Sequence, residues 1–145
     1  MAGHRCYFAP WRTPLRDGLD PRDPMPIVLL VEDDPGVRTL VEEALAERGL
    51  EVLCAGDDRA AQRILEREAG RVGVLVADVH LGALATGYDV ARRARRLNPG
   101  IEVVYITGRS LDAGRFGVNG GVLMPKPFDI GNLVDMVQAL AKDPA

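Results

Sequence analysis

The chain has 145 residues, 47% of them apolar and 27% charged, with a formal net charge of −3. That length and apolar share suit one ordinary domain with a sizeable core, and the acidic balance argues against a general nucleic-acid or membrane-surface role. No apolar run approaches the roughly 20 residues needed to span a bilayer, and the N-terminus lacks the apolar segment of a secretory signal.

Residues 1–26 hold five of the ten prolines and show neither helical nor strand periodicity. They read as an irregular or disordered leader. Translation starting at Met25, or docking of Tyr7, Phe8 and Trp11 on the body or a partner, are the other readings of this stretch. Cys6 and Cys54 form no CxxC or metal spacing, so a reduced, cytoplasmic setting is expected.

From residue 27 the pattern alternates. Ile27 to Val31 is a short apolar run of the kind found in strands covered on both faces. Asp34 and Pro35 then make an N-cap and a first helical residue. The stripe Val37, Leu40, Val41, Ala44 and Leu45 follows at helical spacing, and Gly49 stops that helix. Glu51 to Ala55 reads as a second strand. Asp57 or Asp58 caps a helix burying Ala60, Ala61, Ile64 and Leu65. Val72 to Ala77 is a third strand, ending at Asp78. After the loop HLGALATG comes a helix with Val90, Ala91, Ala94 and Leu97 inward, broken by Asn98-Pro99-Gly100. The arginines Arg92, Arg93, Arg95 and Arg96 are placed on its solvated outer face.

Ile101 to Ile106 is a fourth strand, ending at Thr107. Residues 108–121 carry five glycines, so any helix there is short and weakly formed. Val122 to Met124 is a fifth strand before Pro125-Lys126-Pro127. The last helix turns Ile130, Leu133, Val134, Val137, Leu140 and Ala141 inward. Strands alternating with helices imply βαβ crossovers, hence an α/β domain over 27–145 with a doubly wound parallel sheet and helices on both faces.

Ligands of open parallel sheets bind beyond the carboxyl ends of the strands. Those ends here deliver Glu32 and Asp33, Asp78, Thr107 and Lys126. Three gathered carboxylates repel one another unless a cation sits among them, and an all-oxygen set suits Mg²⁺. Thr107 can donate to a phosphate oxygen and Lys126 can neutralise another, leaving Asp78 as nucleophile for an acyl phosphate. The chain uses 16 Arg but only two Lys, so a lysine between two prolines points to a need for a compact point charge.

With these pieces in order, "VLLVEDDPGVR", "VLVADVHLG", "YITGR" and "MPKPF", the sequence resembles a response-regulator receiver domain from residue 27 to about 142. The resemblance implies a flavodoxin-like five-stranded sheet in the order 2-1-3-4-5. It implies a single-domain regulator of a two-component phosphorelay, a signalling phosphoacceptor rather than an enzyme. Asp78 would accept a phosphoryl group from a phosphohistidine on a sensor histidine kinase or a histidine phosphotransfer protein. Asp33 and Asp78 would bind Mg²⁺ directly, Glu32 through water, and the His80 backbone carbonyl would be a further ligand. Thr107 would be the switch hydroxyl, Lys126 the phosphate-binding lysine, and the Lys126–Pro127 bond cis.

Output would pass to a downstream protein by contact or by onward phosphotransfer, from a monomer or a weak homodimer, without direct nucleic-acid or membrane binding. Four departures stand out. Leu123 replaces the family's aromatic, residues 108–125 are short and glycine-rich, the loop after Asp78 is "LGALATG", and His80 and Arg109 flank the site. A phosphorylation-independent interaction module is the alternative. An aspartyl-phosphate hydrolase of the haloacid-dehalogenase type would want Asp-x-Asp after its first strand, where this chain has Glu32-Asp33-Asp34.

Overall fold

The computed structural model describes residues 26–81, 86–108 and 117–142. Most of the expected leader (residues 1–25), residues 82–85 of the loop after Asp78, and residues 109–116, with Arg109 and much of the glycine-rich stretch, lie outside the described residues. The elements are β1 Ile27–Val31, α1 Pro35–Glu47, β2 Glu51–Ala55, α2 Asp58–Glu68, β3 Val72–Asp78, α3 Gly87–Leu97, β4 Glu102–Thr107, β5 Val122–Pro125 and α4 Ile130–Lys142. The sheet is parallel throughout, ordered β2-β1-β3-β4-β5. Strands and sheet order agree with the expected fold, with boundaries moved by a residue at β3, β4 and β5.

Alternation along the strands divides the interior in two. Leu29, Val31, Leu75, Ala77, Val103 and Tyr105 face the layer of α2 and α3. Val28, Leu30, Val74, Val76, Val104 and Ile106 face the layer of α1 and α4. A strand with a buried residue at every position must be covered on both sides, and β1 is buried throughout.

Local chemistry sets the helix starts. The Asp34 side chain accepts from the amides of Gly36 and Val37, at 2.8 and 3.2 Å, with Pro35 supplying a preset φ and no orphaned donor. Asp57, rather than Asp58, caps α2, accepting from the Ala60 amide at 2.8 Å. Thr86 and Asp89 form a reciprocal capping box at the start of α3. Gly49 ends α1 at φ +82, a conformation that costs a residue with a Cβ. Pro26 sits against Gly73, where a Cβ would come within 2.6 Å of the proline ring.

Two inward assignments fail. Leu40 is 53% and Leu97 49% exposed. Both stand on the flank of an apolar stripe, where period alone does not decide coverage. The four arginines of α3 also divide. Arg92 and Arg96 are exposed, but Arg95 is half-buried and its Nε donates to the Ile101 carbonyl at 2.8 Å. Arg93 is half-buried as well, with Nη1 out of solvent. Arg95 lies one turn beyond buried Ala91, so its stem runs along the interior before the charged end finds a carbonyl.

Candidate functional site

The carboxyl ends of the strands form one open crevice of about 680 Å³, lined by Glu32, Asp33, Asp34, Val37, Asp78, His80, Lys126, Pro127 and Phe128. Glu32 and Lys126 directly follow β1 and β5, and Asp78 is the last residue of β3. All three continue the alternation of Leu30, Val76 and Met124, so they top the same face of the sheet.

Asp78 is only 2% exposed, yet both its oxygens are held. The His80 amide donates to Oδ1 at 2.9 Å and Lys126 Nζ donates to Oδ2 at 3.0 Å. A buried carboxylate needs such partners. Carboxylate oxygens of Glu32, Asp33 and Asp78 lie within 4.8 Å of one another. Burial, reinforced by the neighbouring Asp78 and Asp33 carboxylates, pushes the Glu32 carboxyl up to about 7, against the lowering effect of the Asp34 amide. Hard oxygen donors crowded in this way fit a small divalent cation.

The expected site therefore assembles with one qualification. Thr107 is fully buried at the end of β4 and is not part of the crevice wall. It stands next to Ile106, which is level with Asp78 in the sheet. Backbone bonds couple the three strand ends, from the Val79 amide to the Ile106 carbonyl at 3.0 Å and from the Lys126 amide to the Thr107 carbonyl at 2.9 Å. The Lys126–Pro127 peptide is cis, as the resemblance implied.

Four contributors to the site escaped sequence reasoning. Gly87 opens α3 against the end of β3, its amide donating to the Val79 carbonyl at 2.9 Å. A Cβ there would lie 2.5 Å from the Asp78 carbonyl oxygen, a close approach that only glycine permits. Phe128 and Val37 give the crevice apolar wall beside its acids. Arg38 donates from Nη1 to the Glu32 carbonyl at 2.8 Å. Leu123, where the resemblance implied an aromatic, is half-buried against the same core layer as Tyr105. Tyr105 instead puts its hydroxyl 2.8 Å from the Val118 amide, as acceptor.

Comparison with known proteins agrees with this arrangement. The chain matches the response regulator receiver domain over residues 28–138. The transcriptional regulatory protein TctD of Salmonella typhimurium is 32% identical over 118 residues, 79% of this chain and 51% of that one. The sensor kinase CckA of Brucella abortus is 31% identical over 121 residues, 78% of this chain and 12% of that one. This chain thus spans about half the length of TctD and much less of CckA. The crystal structure of a response regulator receiver protein from Sinorhizobium medicae superposes with TM-score 0.77 at 25% identity, covering 83% of this chain and 98% of that one. Fold, strand-end chemistry and these matches agree: the chain belongs to the response regulator receiver domain family, a family of phosphoacceptor signalling domains.

Proposed function

We propose that residues 27–145, following a leader over 1–26, act as a cytoplasmic phosphorelay receiver whose phosphoacceptor is Asp78. The observation carrying this reading is the buried Asp78 carboxylate, held 3.0 Å from the Lys126 ammonium beside the Glu32 and Asp33 oxygens. A carboxylate oxygen of Asp78 attacks the phosphorus of a phosphohistidine on a sensor histidine kinase or a histidine phosphotransfer protein. The P–N bond breaks, its electron pair stays on the imidazole nitrogen, and the phosphoryl group remains on Asp78 as an acyl phosphate.

Mg²⁺, held by Asp33 and Asp78 directly, by Glu32 through water and by the His80 carbonyl, would supply charge neutralisation to the phosphoryl oxygens when bound. Lys126 neutralises a further oxygen, which requires its ammonium to leave Asp78 Oδ2. Thr107, buried at rest, turns its hydroxyl toward the new group, and that rearrangement is the switch. Output passes to a downstream protein by contact or by onward phosphotransfer.

The test is incubation with Mg²⁺ and a small acyl-phosphate donor, followed by mass spectrometry. One added phosphoryl group, absent in Asp78→Asn, is expected. No adduct from several donors and a cognate kinase would favour a phosphorylation-independent interaction module. Turnover of many phosphoesters would favour a hydrolase.

A further inference from the structure

Where β1 ends, the Glu32 amide still donates to the Ala55 carbonyl of β2 at 3.0 Å. The Glu32 carbonyl is taken by a side chain instead, Arg38 Nη1 at 2.8 Å. Arg38 belongs to the first turns of α1, and its own amide donates to the Asp34 carbonyl at 2.9 Å. The Asp34 amide in turn donates to Glu32 Oε2 at 3.1 Å. These bonds close a ring around Glu32, Asp33 and Asp34: the Arg38 guanidinium holds the peptide before Asp33, the Glu32 carboxylate holds the peptide after it, and the Arg38 amide anchors the Asp34 carbonyl one peptide further on. Across the ring the guanidinium rests near Gly56, where an added Cβ would come within 3.1 Å of Nη1.

Asp33 is exposed, so the direction of its carboxylate depends on how firmly its flanking peptides are held. Arg38 does not line the crevice and would reach neither cation nor phosphoryl group. We propose that Arg38 is a positioning residue for the acidic site, setting the angle at which the Asp33 carboxylate meets Asp78 and hence the affinity for Mg²⁺. This inference rests on the reading of Glu32, Asp33 and Asp78 as the cation site. Groups that orient metal ligands without touching the metal commonly change affinity by about 10–100-fold when removed. The planar fork also suits a guanidinium that must serve a carbonyl while its stem stays in a helix.

The test is calorimetric titration of Mg²⁺ into the unphosphorylated protein, for wild type, Arg38→Met and Arg38→Lys. Arg38→Met keeps most of the stem and is expected to raise the Kd for Mg²⁺ about tenfold, with Arg38→Lys between it and wild type. Thermal melts in chelator accompany each titration. A merely structural role would lower the melting temperature in chelator and leave the Kd unchanged, and that outcome overturns the proposal. Should Arg38→Met fail to fold, a wild-type Kd in Arg38→Lys overturns it equally. Absence of Mg²⁺ binding by the wild type would instead remove the cation site itself, and this inference with it.

Discussion

Lys126 Nζ reaches Asp78 Oδ2 at 3.0 Å although β4 lies between the strands that carry the two residues. The ammonium therefore spans the end of β4, directly above the strand that terminates in Thr107. A single amine ties the end of β5 to the end of β3.

Lys126→Arg tests whether that amine must be compact. A guanidinium is larger, planar and more weakly hydrated, and it cannot pivot as a point charge between a carboxylate and a phosphoryl oxygen. The variant is expected to keep Mg²⁺ binding and lose the structural response to phosphorylation. Titration calorimetry would check the first, and amide exchange with and without an acyl-phosphate donor the second. Normal switching in Lys126→Arg would contradict the role assigned to Lys126.

Gly87→Ala should damage the site from behind. The added methyl would stand 2.5 Å from the Asp78 carbonyl oxygen and 3.0 Å from its carbon, so α3 or the end of β3 must move. Overpacking of this kind costs about 1–3 kcal/mol, and phosphoryl uptake is expected to fall further than stability alone explains. Gly70→Ala is the control, since nothing lies within 4 Å of a Cβ there. Denaturant melts paired with phosphorylation rates separate the two, and equal behaviour of both variants would count against the close approach.

Acid stability should report the capping box of α3. Asp89 accepts from the Thr86 amide at 3.0 Å. That bond, helped by the Thr86 hydroxyl and by Arg92, holds its carboxyl below the usual 3.8 although partial burial opposes the shift. A depressed folded value means stabilisation fully present above 3.8 and lost as pH falls through the lower folded value. Asp89→Ala removes the N3 half of the box, whose side chain is 44% exposed, and is expected to cost about 0.5–1 kcal/mol at neutral pH. The gap from wild type should stay constant down to about pH 4 and close below it. A gap unchanged by acid, read from urea midpoints across pH, would show that the carboxylate is not the stabilising form.

Much of this architecture was legible because the strands are continuous apolar runs that stop abruptly at polar residues. Glu32, Asp78, Thr107 and Lys126 mark those stops, and a parallel sheet necessarily brings them to one rim. Helix interiors were less legible. Val41 and Leu45 follow from period alone, but Leu40 and Leu97 share that period and remain exposed. Coverage at the flank of a stripe is decided by how far the next layer extends, which lies elsewhere in the chain. Arg95 shows the reverse case, a charged residue half-buried with its Nε donating to the Ile101 carbonyl beyond the break at Asn98.

Gly87 and Arg38 were invisible for a different reason. Each matters through one backbone atom of another residue, the Asp78 oxygen and the Glu32 oxygen, and no spacing rule records such pairs. Depth at a strand end was equally hidden, and Thr107, whose hydroxyl looked poised at the rim, is fully buried.

The amide of Lys126 and the carbonyl of Thr107 share one hydrogen bond, 2.9 Å long. Hydroxyl and ammonium therefore hang from a common crossbar, and tilting one tilts the other. Substitutions meant to retune a single member of the pair will arrive as paired changes. A designer seeking independent control would have to work through side-chain length, leaving that rung of the sheet intact.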